Sequence, residues 1–147
     1  MPDSQFYTVE AATTKASAIK TAFALSKLLL FKSSLVPTQF TTKAALEAAE
    51  CDFDGYTPGG YTLTAWTGPL NNPGGGAVIT SPIVNAAYGP AGDPPVTNEC
   101  GGWFIEDATG NVRLVGIFNP PRPMVQVGDG IVLVVQDVEG YNVVLGV

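Results

Sequence analysis

Residues 101–118 constrain the fold more than any other part of the sequence. They read GGWFIEDATGNVRLVGIF, and large apolar side chains alternate with other residues on both sides of residues 107–110. Alternation with a period of two, flanking a short turn that contains Gly, predicts a β-hairpin. The largest apolar side chains in the second half of the chain lie here, so we expect a β core to form around this hairpin.

A helix is predicted before the β region, over residues 8–25. Apolar residues recur there at spacings of three and four, which places them on one helix face. The members of this stripe are Val9, Ala12, Ala16, Ile19 and Phe23. The stripe either packs on the protein's own sheet or contacts another protein, and both alternatives are open. Under the second alternative, Val9, Ile19 and Phe23 are the candidate contacts with another subunit or a shell.

The remaining elements are predicted to be short. Residues 27–33 form a strand with apolar groups on both faces, and Thr41 or Thr42 caps a short helix through AALEAAE. Further strands are predicted over residues 61–66, 77–80, 83–88, 124–127 and 131–138. The last two should pair across residues 128–130, while the prolines of residues 119–123 make an extended connection. Residues 1–7 are predicted to be a loose arm, and residues 141–147 a terminal strand or tail.

This pattern indicates a mainly β fold of about eight short strands, with an N-terminal helix and one short inserted helix. Seventeen Gly and twelve Pro break the chain into short elements, as an all-β protein with many turns requires. We predict a β-sandwich, with the jelly roll as its specific type. The predicted organisation is an arm and helix over residues 1–25 and a β-sandwich domain over residues 26–147.

Composition excludes several classes of function. The net charge is −6, with only seven Lys and Arg, so the electrostatic attraction that drives binding to nucleic acid or an anionic membrane is missing. The chain has no His, which removes the usual triads and zinc sites. Charged residues make up 14% of the chain, against about 25% in typical domains. We therefore expect part of its surface to be covered by another protein.

No group of residues in the sequence has the pattern of a catalytic site. Asp52 and Asp54 are the nearest pair of carboxylates, but they follow a helix end and occupy a turn, where Asp is favoured for local geometry. The glycines of residues 74–76 lack the Lys and Ser or Thr of a phosphate-binding loop. We predict that the protein is not an enzyme and has no cofactor and no metal site.

The cysteines and the N-terminus bear on the cellular compartment. Cys51 and Cys100 either remain free and buried or form one disulfide, and the sequence leaves both alternatives open. The first ten residues lack the basic and apolar regions of a signal peptide, and no apolar run reaches the length of a membrane helix. We expect a soluble protein that is made in the cytoplasm.

Aromatic residues offer an alternative function. Trp66 and Trp103, with a neighbouring tyrosine, could form a stacking platform for a sugar, although aromatics on alternating strands are more often core residues.

Several segments, taken in order, resemble a known group of proteins. They are KLLLFKSSLVPT (residues 27–38), AECDFDGY (49–56), LTAWTGP (63–69), GGWFIED (101–107) and the pair Pro123-Met124. As an ordered set, they resemble small structural proteins of tailed bacteriophages, which are capsid decoration or cement proteins, head fibres or minor tail proteins. The resemblance spans residues 27–138 and carries no catalytic residue.

The resemblance implies a structural role in the virion. The leading hypothesis is a capsid decoration protein, made in the host cytoplasm, that binds the major capsid protein or other virion proteins and stabilises the shell. Symmetry would favour a homodimer or homotrimer. The alternative hypothesis is a receptor- or glycan-binding module of a tail or head fibre.

Overall fold

Antiparallel strands are the main regular structure of the residues that the structure describes. A computed structural model describes residues 4–5, 8–72, 75–139 and 143–144. The helices in these ranges are α1 (Val9–Ala22) and α2 (Lys43–Ala48). The strands are β1 (Ser4–Gln5), β2 (Ser26–Lys32), β3 (Tyr61–Leu63), β4 (Thr67–Asn71), β5 (Ala77–Thr80), β6 (Val84–Ala87), β7 (Asn98–Glu106), β8 (Val112–Met124), β9 (Gly130–Leu133), β10 (Gln136–Glu139) and β11 (Val143–Val144).

The predicted fold class is confirmed. The protein is mainly β, with several antiparallel sheets, an N-terminal helix and one short helix, as in a β-sandwich-like fold. The jelly-roll connectivity stays a prediction. The described residues contain eleven strands instead of about eight. β1 and β4 were not predicted, β11 lies where a terminal strand or tail was predicted, and residues 131–138 divide into β9 and β10. The predicted separate strand over residues 124–127 does not form.

The chain divides into two compact units. Unit 1 consists of residues 1–24, 64–82 and 134–147, and unit 2 of residues 25–63 and 83–133. Unit 1 therefore contains α1 together with β4, β5 and β10. Unit 2 contains α2 together with β2, β3, β6, β7, β8 and β9. The predicted division between residues 25 and 26 stays a prediction.

The predicted hairpin is confirmed as the centre of unit 2. Strands β7 and β8 pair through a turn at residues 107–111, and the four-stranded sheet has the order β3-β2-β7-β8. β2 lies between β3 and β7, and its residues 28–31 are all buried, as its apolar sequence predicts. Leu46 of α2 packs with Leu29, Phe31 and Phe104 in one buried cluster.

Prolines lie within β8, where an extended connection was predicted. Residues 120, 121 and 123 belong to the strand, and the register changes between the pairs Gly102↔Ile117 and Cys100↔Arg122. Proline is tolerated in a sheet at edge strands and bulges, where its missing N–H breaks no ladder bond. β8 meets both conditions, since it forms one end of the sheet and carries the irregularity.

The predicted pairing of residues 124–127 with residues 131–138 is wrong. β9 pairs with β6, and β10 pairs with β5. Residues 125–129 instead form a turn, in which Asp129 Oδ2 accepts hydrogen bonds from the backbone N–H groups of Val125 (2.9 Å) and Gln126 (3.1 Å). These hydrogen bonds hold the turn, so residues 125–127 form no strand.

Helix α1 packs on the sheet of its own unit. Thr8 caps it, accepting a hydrogen bond from the Ala11 N–H (3.1 Å), and its buried face lies against β4, β5 and β10. The helix ends at Ala22, earlier than predicted. The chain then turns through Leu25, whose φ of 60° is left-handed and incompatible with a continuing helix.

The predicted caps and termini have mixed outcomes. Of the two candidate caps of the second helix, Thr42 is the one that caps it, accepting a hydrogen bond from the Ala45 N–H (3.2 Å). The predicted strand over residues 61–66 ends at Leu63. The predictions for residues 1–7 and 141–147 lie largely outside the described residues, but β1 and β11 pair with each other.

Unit 1 contains a partly buried pair of acidic side chains on β10. Burial raises the pKa of Asp137 to about 6, and hydrogen bonding with Glu139 and its negative charge act in the same direction. Glu139 also forms an ion pair with Lys15 of α1, at 3.1 Å. Asp137 holds its proton more tightly in the folded chain than in the unfolded chain. Its favourable contribution to the free energy of unfolding is therefore fully present below about pH 4. That contribution is lost as the pH rises through the folded pKa of about 6.

We therefore expect Asp137→Asn to be more stable than the wild type above pH 6, with the difference shrinking towards pH 4. Thermal unfolding of both proteins from pH 4 to pH 8 measures this. Other titrating groups are common to both proteins, so the difference between the two curves reports Asp137 together with its interaction with Glu139. A difference that does not change with pH would contradict the assignment.

Candidate interaction surface

An ordered loop between β2 and α2 presents an aromatic side chain to solvent. Thr38 and Thr41 hold the loop: the Thr38 N–H donates to Thr41 Oγ1 (2.7 Å), and the Phe40 N–H donates to Thr38 Oγ1 (3.2 Å). The Thr41 N–H also donates to the Thr38 carbonyl oxygen (3.0 Å). Phe40 at the tip is 82% exposed. Among the residues whose exposure the structure describes, it is the only exposed aromatic.

Strand β8 supplies a second set of exposed apolar side chains in the same unit. Along its first half, Arg113, Val115 and Ile117 point outward, while Val112, Leu114 and Gly116 are half-buried. Ile117 is 61% exposed. β8 pairs with β7 on one side and is the end strand of its sheet. This strand therefore combines apolar side chains with an accessible position.

A groove joins the loop and the strand. It has a volume of about 480 Å³ and is lined by residues 37–39, Thr41, Leu46, residues 112–115 and Ile117. Most of its lining residues are apolar, and Arg113 is the one charged residue among them. We call this groove and the neighbouring Phe40 the apolar groove surface. A surface of this kind suits contact with another protein better than chemistry.

The charge of Arg113 is balanced from within the hairpin turn. Its Nε donates to Asp107 Oδ2 (2.7 Å), and Asp107 Oδ1 accepts from the hydroxyl of Thr109 (2.7 Å) and from the N–H of Asn111 (3.0 Å). These hydrogen bonds hold the pKa of Asp107 well below its usual range, and the bond from the Thr109 hydroxyl has the largest effect. The ion pair leaves the groove without an uncompensated charge, which favours a neutral partner surface.

The three predicted contact residues on α1 have different environments. Val9 is 64% exposed, Ile19 is half-buried, and Phe23 is 2% exposed. The Phe23 ring lies 4.8 Å from the ring of Trp66, between centroids. Ala12 and Ala16 are also buried, so most of the stripe packs within unit 1. A buried Phe23 is not accessible to a partner, whereas a contact role for Val9 and Ile19 stays a prediction.

One of the two tryptophans of the predicted sugar platform is buried. Trp66 is 6% exposed in unit 1, and a buried ring cannot stack on a sugar. Trp103 is half-buried in unit 2, and its ring lies directly over Gly116 of the neighbouring strand. The Trp103 ring therefore covers the backbone of β8, and only part of the ring is accessible to solvent.

The carboxylates that the sequence placed in turns do stabilise turns. Asp54 Oδ2 accepts from the N–H groups of Gly92 (2.7 Å) and Val96 (2.9 Å). Asp52 accepts from the Asn98 side chain (2.9 Å) and forms an ion pair with Lys32 (3.1 Å). These hydrogen bonds lower the pKa of Asp54 and Asp52, the opposite of what a general acid needs.

Phe40 was not identified from the sequence. The only signal is an isolated aromatic among polar residues, QFTT, between Pro37 and the cap of α2. Such a residue could equally have filled the core, because sequence alone does not say which way a loop side chain points.

The described ranges contain neither a metal-binding cluster nor a membrane-spanning helix. No cluster of three or more His, Cys, Asp or Glu there could hold a metal ion. Neither helix in those ranges is long and apolar enough to cross a membrane. Comparison of the chain with protein family models, curated proteins and solved structures gave no significant match.

Proposed function

We propose that this chain is a structural protein of a tailed-bacteriophage virion, and that it decorates the capsid and stabilises the assembled shell. The observation that carries this proposal is the apolar groove surface, in which the exposed Phe40 lies between the groove-lining residues Gln39 and Thr41 of the chain. The resemblance of residues 27–138 to phage structural proteins supports the same function.

The energetics of such a surface suit adhesion. Burying a Phe side chain contributes about 1.5–3 kcal/mol, and the exposed Val115 and Ile117 add further apolar area. A partner that binds the assembled shell favours the assembled state by mass action, without chemistry. The low content of charged residues, 14%, reduces the desolvation cost of covering this surface.

The proposed partners are the major capsid protein or other virion proteins, with a second or third copy of the chain completing a symmetric dimer or trimer. The proposed location is the virion, after synthesis in the host cytoplasm. Bridging neighbouring capsid subunits would raise the free energy needed to rupture a shell filled with DNA.

Co-sedimentation with capsid shells that lack this protein tests the proposal. We expect the purified protein to pellet with assembled shells, to raise their rupture temperature, and not to bind unassembled capsid subunits. Density for the protein on the outer surface of intact particles would give its position. Binding to a glycan array without binding to shells would instead favour the fibre-module alternative.

Substitutions in the apolar groove surface should weaken this binding without unfolding the chain. We expect Phe40→Ser and Ile117→Ser each to reduce affinity for shells by at least about tenfold, because a few central apolar or aromatic side chains carry most of an interface's energy. Both side chains are largely exposed, so the Tm should change little.

Val132→Ser is the matched control. Val132 is 67% exposed on β9 in the same unit and does not line the groove. Its substitution should leave shell binding unchanged. Equal loss of binding in all three variants, or in none, would contradict the assignment of this surface.

A further inference from the structure

The two cysteines of the chain meet in the interior of unit 2. Cys51 follows α2, and its N–H donates to the Leu30 carbonyl oxygen of β2 (2.9 Å). Cys100 lies on β7 and pairs in register with Lys32 of β2. β2 therefore positions both residues, and their Sγ atoms are 3.2 Å apart. Cys51 is 3% exposed and Cys100 is fully buried.

This geometry requires little movement to form a covalent bond. A disulfide has an S–S length of about 2.05 Å, so the two sulfurs must approach by roughly 1.2 Å. Small rotations about the side-chain torsions can supply such an approach while the backbone hydrogen bonds to β2 remain. Both thiols are free in this structure.

The two thiols differ in acidity. Hydrogen bonding to Cys100 and burial raise the pKa of the Cys51 thiol, whereas the hydrogen bond between the two sulfurs lowers the pKa of the Cys100 thiol. Cys100 is therefore the sulfur that more readily carries negative charge, and the thiolate is the nucleophile in disulfide exchange.

We infer that Cys51 and Cys100 are an oxidation site, at which a small disulfide such as oxidised glutathione converts the two thiols into one intramolecular disulfide. The Cys100 thiolate attacks a glutathione sulfur, forming a mixed disulfide and releasing one glutathione thiolate. Cys51 then loses its proton and attacks Cys100 Sγ, which releases the second glutathione. Two electrons pass from the cysteines to glutathione disulfide, and the two thiol protons leave to solvent or the released thiolates.

Burial determines how the bond forms and persists. Because both cysteines are buried, exchange requires a transient opening of unit 2 or occurs before folding is complete. Once formed, the disulfide is protected from reductants by the same burial. It also joins the segment after α2 to β7, which restricts the unfolded chain and should raise the Tm.

Thiol counting and intact mass test this inference. After incubation with oxidised glutathione in mild urea and return to buffer, we expect both thiols to disappear together. The chain should form no disulfide with a second copy, lose two hydrogen atoms in mass and carry no glutathione. Peptide mapping should show Cys51 linked to Cys100, and the Tm should exceed that of the reduced protein. Because the chain contains no other cysteine, no alternative intramolecular pairing exists.

Cys51→Ser and Cys100→Ser are the matched controls. In each variant the single remaining cysteine should stay a free thiol, carry one glutathione, or form a disulfide with a second chain. Neither variant should show an oxidant-dependent rise in Tm. If either variant fails to fold, mapping of the oxidised wild type still decides the question. Two persistent free thiols, two glutathione adducts or a cross-linked dimer in the wild type would overturn the inference.

Discussion

Gly102→Ala should destabilise the protein by at least about 3 kcal/mol, towards the upper end of what overpacking a buried position costs. A Cβ atom at this position of β7 would overlap the carbonyl oxygen of Gly116 on β8 and lie 2.6 Å from Cζ of the Phe31 ring. The first contact is with backbone, which cannot move without breaking the β7–β8 ladder. The second is with a fully buried ring in the core of unit 2.

Urea unfolding measures this effect, through the midpoint and the slope of the transition. Gly130→Ala is a suitable control, because Gly130 also lies in a strand and a Cβ there would meet only the Ala86 carbonyl oxygen, at 3.4 Å. We expect that variant to stay within about 1 kcal/mol of the wild type. A Gly102→Ala protein as stable as the control would show that β7 and β8 are not packed this closely.

Asp107→Ala should lower the Tm by roughly 5–10 °C, as expected when a buried carboxylate that accepts several hydrogen bonds is removed from a domain of this size. The Asp107 carboxylate accepts hydrogen bonds from the N–H groups of Thr109 and Asn111, both at 3.0 Å, and from Arg113 at 2.7 Å. An alanine satisfies none of these donors, so the turn between β7 and β8 loses the side chain that fixes it. Differential scanning calorimetry measures the loss.

Asp107→Asn separates the turn from the charge. Its amide oxygen can still accept from the backbone N–H groups, but it cannot form the ion pair with Arg113, so we expect a smaller decrease in Tm. Because the folded pKa of Asp107 is lowered, the wild type's advantage should be present above about pH 4 and be lost as the pH falls below that value. An advantage that grew on acidification would contradict the assigned contacts.

Local sequence signals predicted the local structure well. The hairpin of β7 and β8 follows from alternation around a Gly-containing turn, α1 from apolar spacings of three and four, and α2 from a threonine cap. Each of these signals lies within a few residues of the element it specifies. The mainly β class follows from their number and spacing.

Long-range pairing could not be predicted in the same way. β9 pairs with β6 across more than forty residues, and β10 pairs with β5 across more than fifty. An apolar strand can pair with any strand of matching alternation. The prediction therefore paired each strand with the one nearest to it along the chain. The burial of Trp66, the exposure of Phe40 and the meeting of Cys51 with Cys100 all depend on such tertiary placement.

The threonine-held loop has a consequence for any association through Phe40. Three hydrogen bonds among Thr38, Phe40 and Thr41 fix the backbone on either side of the ring before contact is made. Flexible contact segments lose conformational entropy when they dock, and that loss weakens binding. Here the ordering is complete in the free chain, so a docking partner would gain the burial of an aromatic ring while immobilising little more than the ring itself.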